Sequence, residues 1–347
     1  MRRDLERLLD ANGNRAAEGL RVLEDVARFL LDDRALAELA KNQRHTLRAA
    51  IPPSAIAARD TVGDVGTTIT AGDEMQRARL VDLIRANAAR AQEALRAAEE
   101  GCKLAGLLSC ASQMEATRYA VYRLETGMLA RLPAWRLHQI RLYALIDTSL
   151  TDDPVRVAGA VARGGAGAVQ LRAKNLTLRA YQDLALRVQD AARASGALFI
   201  VNDHVAVARA IAADGVHVGQ DDLTLPDTRA VVGPSCAIGI STHSPEQVAS
   251  GLLAGADYLG LGPMFATSTK PHEPERGPGL LDAVRARLQS PQGRPSYAIG
   301  GLDAERIAAL KSRLPHGVAV AGTLCRASDP ERAAAELLLL LDPDEFP

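Results

Sequence analysis

Apolar residues recur at two different spacings along the chain, and the change falls near residue 135. Before it the period is helical. Leu9, Ala16, Leu20, Leu23, Ala27 and Leu30 fall on one face of a wheel, and Asn14, Glu18, Arg21, Asp25 and Arg28 on the opposite one, the stripe of an amphipathic helix. A second helix is predicted over 34–49, stopped by Pro52-Pro53, since proline cannot continue a helix. Residues 51–74 read as a Pro/Gly/Thr-rich connection, and helical spacing resumes over 75–107 and 112–129.

The helical part repeats itself. Asn12, Arg15, Glu18, Leu20, Arg21 and Glu24 are matched by Asn87, Arg90, Glu93, Leu95, Arg96 and Glu99, 75 residues on. Two similar helix pairs packed as a pseudo-symmetric bundle account for this. The charged stripes read as solvated, salt-bridged faces. The functional alternative is a polar pocket where Asn12, Arg15, Asn87 and Arg90 meet. The Gly/Thr loop at 61–68 lacks the spacing of a P-loop.

After a connection at 131–136 the spacing becomes that of short buried strands alternating with amphipathic helices. The strands read 142–146, 168–171, 198–201, 215–218, 237–240, 258–261, 297–299 and 318–321, each followed by a helical stretch of roughly 8 to 18 residues. Eight such units predict an α/β fold, a (β/α)8 TIM barrel over 139–342, preceded by an all-α helical-bundle domain over 1–132. A doubly wound sheet is the rival, but it usually has fewer strands and a GxGxxG turn after the first. Ile146-Asp147-Thr148-Ser149 offers none.

Composition narrows the function. Of 347 residues 47% are apolar and 24% charged, with a net charge of -1, so no global basic field favours nucleic acid or anionic membrane. Aromatic residues at 3% argue against a base-stacking surface. Cys102, Cys110, Cys236 and Cys325 form no CxxC pair, which fits reduced thiols in a cytoplasmic protein. The N-terminus lacks the apolar core of a signal peptide, and no apolar run reaches membrane-spanning length.

In a barrel all strand C-termini open on one face, where catalysis sits. Those ends read Gln170-Leu171-Arg172-Ala173-Lys174, Asn202-Asp203-His204, Gln220-Asp221-Asp222 and Ser241-Thr242-His243. The later ones read Thr267-Ser268-Thr269-Lys270, Gly300-Gly301 and Ala321-Gly322-Thr323. Hydroxyls beside cations suit phosphate oxygens, and the glycines after the last two strands suit the common barrel phosphate site. Asp203 and Asp222 would repel a polyanion unless Mg2+, which takes one or two carboxylates plus phosphate oxygens, bridged them. The alternative is a set of Asp–Arg pairs ordering the rim. His217, between apolar neighbours, reads as a core histidine; His204 and His243 stay unassigned.

With these motifs in this order, residues 139–342 resemble the thiamine-phosphate synthases. The resemblance implies that hydroxymethylpyrimidine diphosphate binds at Gln170, Leu171, Arg172, Ala173, Lys174, Asn202, Ser241 and Lys270. It implies Mg2+ on Asp203 and Asp222, and thiazole phosphate against Thr267, Ser268, Thr269, Gly301, Ala321 and Gly322. Arg172, Lys174 and Lys270 would be catalytic, stabilising charge on the departing diphosphate. The thiazole nitrogen carries no proton, so no catalytic base is needed. The chain departs from the family at Ala173 and Ala266, where Glu and Pro are usual, and at Gly322, where a serine is usual. Residues 1–132 resemble the N-terminal extension of some bacterial members, for which a pyrimidine-phosphate kinase role or a dimerising role is implied. The expected partners are small-molecule substrates, with no nucleic acid and no membrane and a homo-oligomer left open. The rival functions are a thiazole tautomerase-like barrel, another phosphate-binding barrel, and a non-catalytic binder of thiamine precursors.

Overall fold

The computed structural model describes residues 3–58, 80–267, 275–290, 294–314 and 316–341. The chain divides into two compact units, Met1–Leu132 and Pro133–Pro347.

The first unit contains α1 (Arg3–Asp25), a π-helical turn (Val26–Leu30), α2 (Arg34–Ala50), α3 (Pro53–Ala57), α4 (Leu80–Leu104) and most of α5 (Leu108–Leu137). Leu9, Ala16, Leu20, Leu23 and Ala27 are buried, while Leu30 is 44% exposed. The π turn explains the exception: its wider winding shifts the phase of the apolar stripe by the time it reaches Leu30. At Gly19 a Cβ would lie 2.8 Å from the Asn87 carbonyl oxygen, so α1 approaches α4 as only glycine permits. Pro52 stops α2 by holding Ile51 extended, and Pro53 opens α3, its missing N–H being harmless in a first turn.

The 75-residue echo is visible as two buried carboxylates. Glu24 pairs with Arg44 at 2.9 Å and with Arg21 and Arg28, and Glu99 pairs with Lys103 at 2.6 Å, Arg96 at 2.8 Å and Arg118 at 3.1 Å. Burial pushes the Glu99 carboxyl up, but hydrogen bonds from Lys103, Arg118 and Arg96 hold it below its ordinary range. Asn12 and Asn87 each donate to a carbonyl of their own helix, Leu8 and Leu83, both at 2.9 Å, and Arg15 and Arg90 are exposed. Both amides are thus satisfied within their own helices, and among the described residues no hydrogen bond is seen joining the four. The loop at 61–68 lies outside the described residues.

The expected connection at 131–136 is instead helical, for α5 runs through it with Pro133 inside. The reason is tertiary. At the end of α5 Leu137 is completely buried, packed with Ile140 and the inner residues Tyr143, Tyr258 and Tyr297. Its carbonyl accepts hydrogen bonds from the Tyr297 hydroxyl at 2.7 Å and the His316 Nε2–H at 3.0 Å. Burying a leucine stabilises by about 2 kcal/mol, enough to oppose one missing helical hydrogen bond.

The second unit is a closed barrel of eight parallel strands in sequential order. The strands are β1 (Leu142–Asp147), β2 (Ala168–Arg172), β3 (Leu198–Asn202), β4 (Gly215–Val218), β5 (Ala237–Thr242), β6 (Tyr258–Leu261), β7 (Ser296–Ile299) and β8 (Gly317–Val320). Between and after them run α6 (Pro154–Arg163), α7 (Leu178–Arg193), α8 (Val205–Ala210), α9 (Leu225–Val232), α10 (Pro245–Leu253), α11 (Gly279–Leu288), α12 (Ala304–Leu310), α13 (Gly322–Cys325) and α14 (Pro330–Leu340). Here α8 and α12 are shorter than the spacing predicts, and α13 is a short additional helix before the expected last one. Several helices start on a side-chain cap: Asp153, Thr177, Ser244, Asp303 and Asp329 each accept from the amide three residues on. These caps fix how the chain leaves the rim.

Alternation along each strand sorts the side chains. Val169, Leu171, Phe199, Val201, Val216, Ile238 and Leu259 join the core between sheet and helices. Tyr143, Leu145, Leu198, Ile200, Tyr258 and Tyr297 fill the inside. Small residues make room for the three tyrosines: a Cβ on Gly239 would collide with the Tyr258 ring.

Candidate active site

The inward parity that buries Tyr143 carries β1 to β5 to a polar residue near the C-terminal end, Asp147, Arg172, Asn202, His217 and Ser241, whereas the inward positions of β6, β7 and β8 end on Gly260, Ile299 and Ala319. In register, Leu145 pairs with Gln170 and Asp147 with Arg172 across β1 and β2, and Asn202 pairs with His217 across β3 and β4. Gln170, Arg172, Lys174, Asn202, Asp203, Asp222, Ser241, Thr267 and Ala321 all line one cavity of about 730 Å³. Leu171 and Ala173 do not: both side chains are buried in the outer core, as alternation requires. Ser268, Thr269 and Lys270 lie outside the described residues.

The charges are ordered by pairs. The Arg172 guanidinium donates to Asp147, which is buried and also accepts from the Ser149 amide at 2.9 Å and its hydroxyl at 2.7 Å. So the Asp–Arg pairing weighed as an alternative does exist, but it is made by Asp147, leaving Asp203 and Asp222 to each other. Asp203 sits at φ 63°, a left-handed conformation uncommon outside glycine. Strain of this kind persists where surroundings over-determine it, often at functional sites. Burial, and then the Asp222 carboxylate, push the Asp203 carboxyl up, while Lys174 opposes them. Asp222 also accepts from the Gly219 amide at 2.7 Å.

Two carboxylates that repel each other at the mouth of a cation-lined cavity suit a divalent ion held partly by substrate oxygens. Among the described residues no group of three or more His, Cys, Asp or Glu could form a complete protein cage. Magnesium does not require one, because it commonly keeps water and phosphate oxygens beside one or two carboxylates. The donor set fits Mg2+.

Beneath the rim runs a hydrogen-bonded chain. Gln170 donates to the Tyr143 hydroxyl at 2.9 Å, Tyr143 and Tyr258 join hydroxyl to hydroxyl at 3.0 Å, and Tyr258 meets His217 Nδ1 at 3.2 Å. His217 Nε2 reaches the Ser241 hydroxyl at 3.0 Å. Burial pushes both phenols far up, so they stay protonated donors. His217 is thus both a core histidine and a cavity wall. Asp147, Tyr143, Tyr258 and the rim residue Arg276 also line the cavity and escaped the sequence reading. Asp147 was within its reach, since it ends strand one.

A smaller cavity of about 210 Å³ adjoins, lined by Thr267, Gly300, Gly301, Asp303, Arg306, Ala321, Gly322 and Arg326 among others. Gly300 and Gly301 have φ 99° and 62°. Side chains there would also strike Pro263 and the Ala266 carbonyl, so both glycines are required by the turn.

Comparison with known proteins agrees with this geometry. The family described as "Thiamine monophosphate synthase" matches residues 142–324, and the family described as "ThiD2 family" matches residues 7–127. A thiamine-phosphate synthase of Synechocystis sp. is 39% identical over 97% of this chain and 96% of its own. One from Gloeobacter violaceus is 41% identical over 96% and 95%. Among solved structures, thiamine phosphate pyrophosphorylase from Pyrococcus furiosus matches with a TM-score of 0.53 and 30% identity, over 59% of this chain and 96% of that one. On likeness that spans both units, the chain belongs to the thiamine-phosphate synthase family.

Proposed function

We propose that the barrel joins the methylene carbon of hydroxymethylpyrimidine diphosphate to the nitrogen of a thiazole phosphate, releasing pyrophosphate. The observation that carries this reading is the convergence of Gln170, Arg172, Lys174, Asn202, Asp203, Asp222 and Ser241 on one cavity. Cations at its mouth offer a diphosphate a seat, and the inner polar chain offers a flat heterocycle one.

Arg172, held in place by Asp147, and the exposed Lys174 hold the diphosphate and take up negative charge as its C–O bond breaks. Asp203 and Asp222 would hold Mg2+, which when bound neutralises charge on the diphosphate oxygens. Asn202 and Gln170 orient the pyrimidine end, and the Ser241 hydroxyl, already bonded to His217, has lone-pair and donor capacity left for an oxygen. Gly301, Ala321 and Gly322, with Thr267, seat the phosphate of the thiazole. The acceptor nitrogen has a free lone pair and loses no proton, so the site works by charge and orientation. Residues 1–132, of which 7–127 match the ThiD2 family, act as a separate module, supplying the pyrimidine substrate or joining copies of the chain.

The test is incubation of the full chain with both substrates and Mg2+. Equal amounts of thiamine phosphate and pyrophosphate are expected; absence of both overturns the reading. A parallel reaction with hydroxymethylpyrimidine monophosphate and ATP in place of the diphosphate tests the helical unit.

A further inference from the structure

The smaller cavity contains a cation that no role so far uses. Arg326, one turn beyond Gly322, folds its guanidinium back over that glycine, so closely that a Cβ on Gly322 would collide with it. Both residues line the 210 Å³ cavity. A glycine here is what makes room for the planar group.

The other charges at this cavity are already committed. Arg306 donates to the Gly301 carbonyl at 2.5 Å, approaches Asp303 at 3.7 Å and stacks over the Phe265 ring with its charge 4.7 Å from the centroid. The Thr323 hydroxyl donates to the Leu302 carbonyl at 2.8 Å. Asp303 also accepts from the Arg306 amide, as the cap of α12. Arg326, by contrast, makes no ion pair with any acid among the described residues. Arg306 and Asp303 offset each other, and the cavity keeps the Arg326 charge.

We infer that Arg326 is a specificity-determining residue that binds the phosphate monoester of the accepting heterocycle, its guanidinium standing over Gly322 where another chain would place a side chain at that position. The inference rests on the condensation proposed above. Guanidinium presents several N–H donors in a fixed fork that matches phosphate oxygens, and charge-assisted bonds of this kind are strong. The glycine turn at Gly300-Gly301 lets backbone approach the same anion. The site then selects for phosphate on the acceptor while the diphosphate of the donor is held by other cations in the larger cavity.

The test compares the full-length protein with Arg326→Ala, using phosphorylated thiazole and the corresponding thiazole alcohol as acceptors. The expected result is a KM for the phosphorylated acceptor raised by about tenfold or more, the usual cost of a charged hydrogen bond. The KM for pyrimidine diphosphate and turnover of the alcohol should stay within about twofold, a split that general loss of structure would not produce. Arg326→Lys should recover part of the loss, because it restores charge without the fork. An unchanged preference for the phosphorylated acceptor in Arg326→Ala overturns the inference. Failure of the unaltered protein to make thiamine phosphate would instead overturn the proposed reaction, so the two failures are distinct.

Discussion

Asp147 and Arg172 stand opposite each other at the ends of neighbouring strands, and the guanidinium donates to the carboxylate. The pair orients Arg172 before substrate arrives, at the cost of part of its charge. Replacing Asp147 by Asn keeps the shape and removes the anion. We expect kcat/KM for pyrimidine diphosphate to fall about tenfold in steady-state assays, as when one charged hydrogen bond is lost. Arg172→Ala should cost about 100-fold or more, since it removes leaving-group stabilisation itself. A larger loss in Asp147→Asn than in Arg172→Ala would refute this ordering.

Asp203 is the stronger test of the metal assignment. Asp203→Ala should abolish pyrophosphate release, by about 100-fold or more, with unchanged circular dichroism. Relief of repulsion with Asp222 offsets part of the strain that alanine meets at the left-handed φ of 63°. Near-normal turnover in magnesium would refute a metal role.

The His316 imidazole gives the barrel a defined response to acid. Burial first, and then the Arg141 charge, pull it down to about 4, while the Leu137 carbonyl works the other way. An unfolded histidine titrates near pH 6.5. Only the unfolded chain then gains the proton between those values, so this contribution is full above about pH 6.5 and is lost as pH falls toward 4. The slope is about 1.4 kcal/mol per pH unit within that window. Urea unfolding followed by Trp135 fluorescence at pH 7.5, 6 and 5 should show the decline, and His316→Gln should reduce it.

The same region predicts where the chain can be cut. A protein of residues 133–347 keeps Leu137 and should still condense the two substrates. One starting at residue 139 loses the carbonyl that Tyr297 and His316 share. Each unsatisfied buried donor costs about 1–3 kcal/mol, so its midpoint in thermal unfolding should be clearly lower. Equal midpoints would show that the end of α5 is dispensable.

Most of the barrel was legible in the sequence, because short continuous apolar runs, buried on both faces, and strand-end polarity are local properties. The strands from 215 and 258 have the predicted bounds, but the reading of 170–174 as one binding run missed that alternation turns Leu171 and Ala173 outward. Exposure at Leu30 was not legible, since a π turn changes phase without a marker residue. Nor was the helical course of 131–136, where Pro133 signals a break and the burial of Leu137 overrides it.

What the sequence determined by itself was the order of elements and the chemistry at each strand end, since both follow from neighbours along the chain. Only the tertiary structure decided which charges meet. Asp147 rather than Asp203 takes Arg172, because register sets those two side by side. Arg326 lies over Gly322 because a short helix turns it back and glycine leaves the space. Pairings of that kind depend on distances between segments, which no one-dimensional pattern contains.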